Sequence, residues 1–238
     1  LSLTFPEGER FFVDSVRALR DQVSDPARQK EISGFIGQEA MHSKEHNAFN
    51  AYLAEQGYAD LAKRGEALAR MLLKGARVRL TQREQLGATA ALEHITAILA
   101  KTILENPRWL KQIDASVRPL WLWHCIEETE HKGVAFDLYK DVGGTDNQRR
   151  FLLFAGTLYL AFYTTLYTWR FLKQDGITRK PLTLLKGAWK LFGYKGVLSP
   201  GIIEYFRFYA KDFHPWQDNN SETLHYWHNE LTTARAAM

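Results

Sequence analysis

Apolar residues along most of this chain recur every three or four positions, the spacing that predicts amphipathic α-helices. Stretches that alternate between apolar and polar residues are nearly absent, so the pattern predicts an all-α fold. The first helix is predicted from about Pro6 to Val23. The second begins after Ser24-Asp25-Pro26, a cap residue followed by the proline typical of a first helical position, and it ends near Gly57.

Three further segments complete the helices of a bundle. An amphipathic stretch over residues 60–80 is long enough to carry the chain back along such a bundle. Residues 81–84, Thr-Gln-Arg-Glu, have the form of a capping box and open a third bundle helix that ends before Pro107. The fourth is predicted from about Arg118 to Asp141, where Gly143-Gly144 closes it.

This order predicts a ferritin-like four-helix bundle over residues 1–145, with a crossover between bundle helices 2 and 3. Residues 146–238 are predicted to form an apolar and basic helical extension. Its segment 151–169 contains no charged residue and is flanked by arginines and a lysine. The first interpretation of this segment is a helix buried against the bundle or against a second copy in a homodimer. Peripheral membrane contact is the alternative, and a full membrane span is the third interpretation.

The composition narrows the class of protein. The chain has 238 residues, of which 45% are hydrophobic and 24% are charged, as in an ordinary globular domain. Its 31 basic and 27 acidic residues include no Lys/Arg block, so we expect no nucleic acid partner. Cys125 is the only cysteine and no signal peptide is visible, which favours the cytoplasm, with the inner face of the membrane as a variant. The first residue is Leu1, and we expect residues upstream of it.

Two Glu-x-x-His steps, Glu39 to His42 and Glu128 to His131, are the strongest chemical signal in the sequence. Residues three apart lie on the same face of a helix, so each step can aim a carboxylate and an imidazole at one point. Glu9 and Glu93 each precede a step by about one helical hairpin. Four carboxylates and two histidines from four helices form the ligand set of two-metal carboxylate bundles.

We predict that Glu39 and Glu128 bridge two metal ions. The predicted terminal ligands are Glu9 and Glu93, with His42 and His131 as one imidazole for each ion. Such mixed oxygen and nitrogen donors suit iron, with manganese and zinc as alternatives.

Two of these positions have competitors. Glu7 lies two residues before Glu9 near the same helix start, where either side chain could point inwards. His124 shares a helical stripe with Glu128 and His131 and adds a histidine donor for the second ion. Glu127 also shares a face with His124, but only Glu128 repeats the first Glu-x-x-His step.

The ordered set Glu9, Glu39-x-x-His42, Glu93, His124-x-x-x-Glu128-x-x-His131 resembles the ferritin-like non-haem di-iron oxygenases, especially the arylamine N-oxygenases. This resemblance implies two iron ions, activation of dioxygen, a small hydrophobic substrate and an external electron donor. Gln38 stands where an N-oxygenase has Asp, so the carboxylate that this resemblance implies beside the ligands is missing there. The chain also resembles a bacterial family labelled as predicted metal-dependent hydrolases, through its Phe5-Pro6-x-Gly-Glu9 opening and its Phe213-His214-Pro215-Trp216 closing motif.

Residues 42–46 spell H-x-x-E-H, the zinc-protease motif in which His42 and His46 bind zinc and Glu45 activates water. The alternative for this segment is that His46 supports the ligands and Glu45 is a surface charge. The sequence favours a di-iron oxidase or oxygenase of a hydrophobic substrate. The alternative is a two-metal or zinc hydrolase of an ester, amide or phosphoester, and the third hypothesis is a non-catalytic iron-binding bundle.

Overall fold

A computed structural model describes residues 1–236 of the chain, with side chains as far as Leu231. These residues form α-helices joined by turns and loops and contain no strand, which confirms the predicted all-α fold. The helices are α1 (Phe5–Arg17), α2 (Pro26–Leu53), α3 (Ala59–Arg79), α4 (Gln82–Glu105), α5 (Pro107–Leu110), α6 (Arg118–Glu130), α7 (Val134–Asp141), α8 (Asp146–Gln174), α9 (Pro181–Phe192), α10 (Ile202–Arg207) and α11 (Ser221–Ala236). The ferritin-like arrangement of the helices stays a prediction.

Local capping signals place several helix ends where the sequence predicts them. The Asp25 carboxylate accepts a hydrogen bond from the amide of Ala27 at 2.9 Å, and proline follows at the first helical position. Glu84 accepts from the amide of Thr81 at 2.8 Å, and the Thr81 hydroxyl accepts from the amide of Glu84 at 3.3 Å, a reciprocal capping box. Gly143, with φ of 80°, adopts the left-handed conformation that ends α7.

The predicted end of the first helix at Val23 is wrong. Helix α1 ends at Arg17, and a 3₁₀ turn follows at Arg20–Gln22. The side-chain amide of Gln29 donates to the carbonyl oxygens of Arg20 and Val23 at 2.7 and 2.6 Å. These bonds satisfy backbone acceptors outside a helix, so the turn is stable without continuing α1.

The predicted fourth helix is not continuous. Helix α6 ends at Glu130, His131 is its C-cap with φ of −102° and ψ of 6°, and α7 begins at Val134. Gly133 favours this break because glycine has a low helix propensity. The ammonium group of Lys132 also donates to the carbonyl oxygen of Asp218 at 2.6 Å and to the Asn220 side chain, which fixes the chain at the break.

Internal contacts divide the chain into two compact units. The first comprises Leu1–Leu92 and Val134–Lys186, and the second comprises Glu93–Gly133 and the described residues from Gly187 onward. Each unit is therefore assembled from two separated segments. The predicted division at residue 145 does not coincide with these units and stays a prediction.

In the first unit, α1 packs on α2 and α8 packs on α3. The buried cluster between α3 and α8 contains Leu3, Ala62, Ala69, Tyr163 and Tyr167. The two helices come close at Gly65, where an added Cβ would lie 2.7 Å from Leu3 Cδ1 and 3.1 Å from Tyr163 Oη. This packing fixes the N-terminal segment, and with it the start of α1.

One face of α8 is buried and the opposite face is exposed. The buried side chains are those of Arg149, Leu152, Leu153, Tyr163 and Tyr167. Five large apolar side chains are more than half exposed: Phe151, Phe154, Leu158, Phe162 and Trp169. The predicted burial of 151–169 is therefore correct for one face only. By length and composition α8 could cross a membrane, and only 22% of its most apolar window is buried.

The second unit has its own apolar core, formed by Ala100, Leu104, Leu110, Cys125, Ile126 and Trp227. Trp227 Nε1 donates to the carbonyl oxygen of Leu104 at 3.0 Å, so α11 is attached to the end of α4. Cys125 is buried, as expected for a small core residue. This core holds α6 beside the C-terminal half of α4.

Candidate metal centre

The first unit contains a buried group of carboxylates and imidazoles, here called cluster 1: Glu9 on α1 with Glu39 and His42 on α2. One ligand atom from each of these three residues lies within 4.8 Å of the other two. His42 Nδ1 is 3.3 Å from Glu39 Oε1. All three residues are at most 3% exposed. The Glu39-x-x-His42 step therefore lies on one face of α2, as its spacing predicts.

His46 lies one turn after His42 and is also fully buried. The Ser2 hydroxyl donates to Asn50 Oδ1 at 2.8 Å, so its bond of 3.0 Å with His46 Nδ1 has the imidazole N–H as donor. This tautomer leaves the lone pair on His46 Nε2, which is 3.8 Å from Glu9 Oε1. Burial, with His42 nearby, lowers the pKa of His46 to about 3, so the ring is neutral and able to bind a cation.

Glu7, the competitor of Glu9, has a different role. Its carboxylate forms ion pairs of 2.8 Å with both Arg10 and Arg70. Glu9 lies two residues further along α1, about 200° around the helix, and belongs to cluster 1 instead. The structure therefore brings Glu9, and not Glu7, together with Glu39 and His42.

The second unit contains a matching group, here called cluster 2: Glu93 on α4, His124 and Glu128 on α6, and His131 at the end of α6. His131 Nε2 is 3.3 Å from Glu93 Oε2 and 3.9 Å from Glu128 Oε2. His124 Nε2 is 3.3 Å from Glu128 Oε1. Each of the four residues is at most 5% exposed.

Three polar neighbours of the predicted ligands are less buried than the ligands themselves. Glu127, the competitor of Glu128, is half-buried, whereas Glu128 is buried in cluster 2. Gln38 and Glu45 on α2 are half-buried beside cluster 1 residues in the sequence. The zinc-protease interpretation requires His42, His46 and Glu45 at one ion, and it leaves the second buried cluster without a role.

Sequence reasoning missed Thr96, which contacts cluster 2, and Ser2, which contacts His46 beside cluster 1. The Thr96 hydroxyl hydrogen-bonds to Glu128 Oε2 and also lies 3.0 Å from the carbonyl oxygen of Glu93. Thr96 follows Glu93 by three positions on α4, a spacing that could have identified it. Ser2 lies 44 residues from His46 and carries no such signal.

Lys132 is the third residue near the clusters that sequence reasoning missed. It is 5% exposed, and its Nζ lies 4.6 Å from the centre of the Trp216 ring. Burial lowers the pKa of Lys132 to about 8. Beside it, His94, His214 and Asp218 line a small cavity of about 30 Å³, which has room for one or two water molecules.

The histidines outside the clusters have structural contacts. His94 Nε2 is 3.0 Å from the carbonyl oxygen of Glu204, and its ring packs against Phe208 and Phe213. His228, on α11, is 2.6 Å from the Glu130 carboxylate on the surface.

The donor spacing in each cluster fits a metal ion. In a tetrahedral site with bonds of about 2.1 Å, neighbouring ligand atoms are about 3.4 Å apart. The closest carboxylate–imidazole pair in each cluster is separated by 3.3 Å. Buried carboxylates in proteins are paired with cations or coordinate metals, and imidazole beside carboxylate suits zinc, iron or manganese. Each cluster alone offers at least two carboxylates and one histidine.

Comparison with known proteins gives one match. No curated protein and no solved structure matches the chain. The family model Metal_hydrol, described as predicted metal-dependent hydrolase, matches residues 1–219. This range includes both clusters and both motifs on which the resemblance to that family rests. The chain therefore belongs to the Metal_hydrol family of predicted metal-dependent hydrolases.

Proposed function

We propose that this protein is a hydrolase of an ester, amide or phosphoester bond and that clusters 1 and 2 hold the divalent metal ions it needs. The observation that carries the proposal is the burial of two carboxylates and one histidine at ligand spacing in each unit. Family membership supports hydrolysis over oxidation. The di-iron oxygenase that the sequence favoured has no support from the comparisons, and its external electron donor is not needed for hydrolysis.

When bound, a divalent ion supplies a Lewis acid that lowers the pKa of water and polarises the bond to be cleaved. The protein's own residues bind and orient it. In cluster 1, Glu9, Glu39 and His42 provide donors, and the neutral His46 adds an imidazole nitrogen beside Glu9. Zinc and manganese are the metals that suit both these donors and hydrolysis.

In cluster 2, Glu93, Glu128, His124 and His131 provide the donors. The Thr96 hydroxyl fixes the orientation of the Glu128 carboxylate through their hydrogen bond. Such outer contacts hold a ligand in its binding orientation before the ion arrives. Because all four donors are buried, bulk water is kept away from them.

Matched pairs of variants test the assignment in each unit. Glu9→Gln and Glu128→Gln should lose bound metal and hydrolysis of p-nitrophenyl acetate, p-nitrophenyl phosphate or a p-nitroanilide. Glu7→Gln and Glu127→Gln change the same group nearby and should retain both. Metal content is measured by elemental analysis after loading with zinc or manganese. Hydrolysis that survives in Glu9→Gln and Glu128→Gln, or a metal-loaded protein that cleaves none of the three bonds, would refute the proposal.

The sequence prediction that the two clusters share one pair of ions is a separate question with its own measurement. If the ions are shared, Glu39→Gln and Glu93→Gln should each lower the content of both ions. If the clusters bind independently, each variant should lose one ion. Iron as the bound metal, with consumption of dioxygen, would instead restore the oxidase interpretation. Bound metal with neither reaction would leave the non-catalytic bundle.

A further inference from the structure

The exposed side of α8 carries a row of large apolar side chains, here called the α8 stripe: Phe151, Phe154, Leu158, Phe162 and Trp169. These positions fall within about 80° around the helix, because successive residues are about 100° apart. The stripe spans 18 steps along the helix, a length of about 27 Å. Its members are between 52% and 66% exposed. A row of five large apolar side chains is more than the scattered exposure expected on a soluble protein.

The next helix, α9, is also amphipathic and almost entirely exposed. Leu182, Leu185, Trp189 and Phe192 lie on one of its faces and are at least 67% exposed. Lys186 and Lys190 border this face and are exposed as well. Lysines beside an apolar face that contains tryptophan are typical of a helix lying in a membrane interface.

The charge of this part of the chain differs from the rest. Between Asn147 and Ile203 there are nine basic residues and one acidic residue, whereas the whole chain has 31 and 27. The remainder of the chain is therefore net negative. Basic residues that flank exposed apolar faces are complementary to an anionic lipid surface, where each contributes to binding.

We infer that the α8 stripe and the apolar face of α9 bind the surface of an anionic membrane. The protein lies on the membrane and does not cross it. The opposite face of α8 packs through Tyr163 and Tyr167 on α3, which carries exposed charges such as Lys63 and Arg64. A span by α8 would draw these charges into the hydrocarbon region, at high cost.

Flotation of the full chain with vesicles tests this inference. The probes are vesicles of two parts phosphatidylcholine to one part phosphatidylglycerol, and vesicles of phosphatidylcholine alone. We expect binding to the anionic vesicles at 50 mM salt, weaker binding at 500 mM salt, and little binding to the neutral vesicles. An absence of binding at 50 mM salt, or equal binding to both vesicles, would overturn the inference.

Paired variants identify the surface that binds. Phe154→Ser with Phe162→Ser should reduce partitioning by roughly 100-fold, since each buried phenylalanine contributes about tenfold or more. The matched control is Met71→Ser with Val78→Ser, which removes two exposed apolar side chains from α3. Unchanged binding in the stripe variant, or an equal loss in the control, contradicts the assignment of the surface.

A second pair of variants tests the contribution of the basic residues. Lys186→Gln with Lys190→Gln should reduce partitioning roughly 25-fold, from about fivefold for each charge. Lys44→Gln with Lys63→Gln, exposed lysines of α2 and α3, should have little effect.

Sedimentation of the lipid-free protein tests the remaining alternative, in which a second copy of the chain covers the α8 stripe. A dimer that Phe154→Ser with Phe162→Ser converts to a monomer, without any vesicle binding, would mean that a second copy covers the stripe.

Discussion

Replacement of Thr96 by valine should weaken metal binding without removing any ligand. The hydroxyl group of Thr96 has one proton and two acceptors near it, the Glu128 carboxylate and the carbonyl oxygen of Glu93. The charged acceptor forms the stronger bond. Valine keeps the shape and the β-branching of threonine, so the substitution removes the hydrogen bond and little else.

The expected magnitude follows from the type of bond. A hydrogen bond to a charged group contributes about 1.5–3 kcal/mol. Since about 1.4 kcal/mol corresponds to a factor of ten, the dissociation constant for zinc should rise roughly 10- to 100-fold. This is the range seen when groups that orient metal ligands are removed from other proteins.

Thr102→Val is the matched control. Thr102 lies on the same helix and is buried, and its hydroxyl donates to the carbonyl oxygen of Ile98 at 3.0 Å, away from cluster 2. Zinc affinity is measured by competition with a chromophoric chelator, and the unfolding free energy of each metal-free variant is measured in denaturant. We expect both variants to unfold similarly and only Thr96→Val to bind zinc more weakly. Equal zinc affinities in the two variants would refute the role assigned to the hydroxyl group.

Three further predictions concern the fold. Gly65→Ala should lower the unfolding free energy, measured in urea, by about 1–2 kcal/mol, because its Cβ would lie 2.7 Å from Leu3 Cδ1. Gly37→Ala, whose Cβ would have nothing within 4 Å, should raise the unfolding free energy by about 0.5–1 kcal/mol. Burial alone would raise the pKa of Asp218, but the hydrogen bonds and charge of Lys101 hold it below its usual range. The folded protein therefore binds fewer protons at Asp218 than the unfolded chain does. The unfolding free energy of the native protein should fall as the pH drops below about 4, and the fall should be smaller in Lys101→Met. Zinc at 100 times its dissociation constant should add about 2.7 kcal/mol for one site and raise Tm by roughly 5–10 °C in thermal unfolding, with EDTA, or Glu39→Gln combined with Glu93→Gln, abolishing the rise.

The sequence predicts those features of the fold that depend on neighbouring residues. The caps at Asp25 and Thr81 are formed by side chains within three positions of the helix end. Helix α7 likewise ends at a nearby glycine, Gly143, through its left-handed backbone conformation. The Glu39-x-x-His42 step needs only the regular spacing of α2. Glu128, rather than Glu127, lies in cluster 2, as the repeated spacing predicts.

Features that depend on distant residues could not be predicted. The choice between Glu7 and Glu9 depends on Arg70, which is 63 positions from Glu7. The break after α6 depends on contacts of Lys132 with residues 86 and 88 positions further along. Composition identifies 151–169 as apolar, but it does not show which side of that helix meets α3 and which side is exposed.

The two family motifs acquire a physical meaning from these contacts. The opening motif supplies Glu9 to cluster 1, and its Phe5 packs edge-on against His46 at 4.7 Å. The closing motif places the Trp216 ring beside Lys132, the residue that follows His131 of cluster 2. The opening motif is thus attached to cluster 1 through a ligand, Glu9, whereas the closing motif contacts only the residue that follows a ligand of cluster 2. Because the backbone of Asp218 holds Lys132, we expect the position of His131 to depend on the segment that follows the closing motif as well as on the helices that carry the ligands.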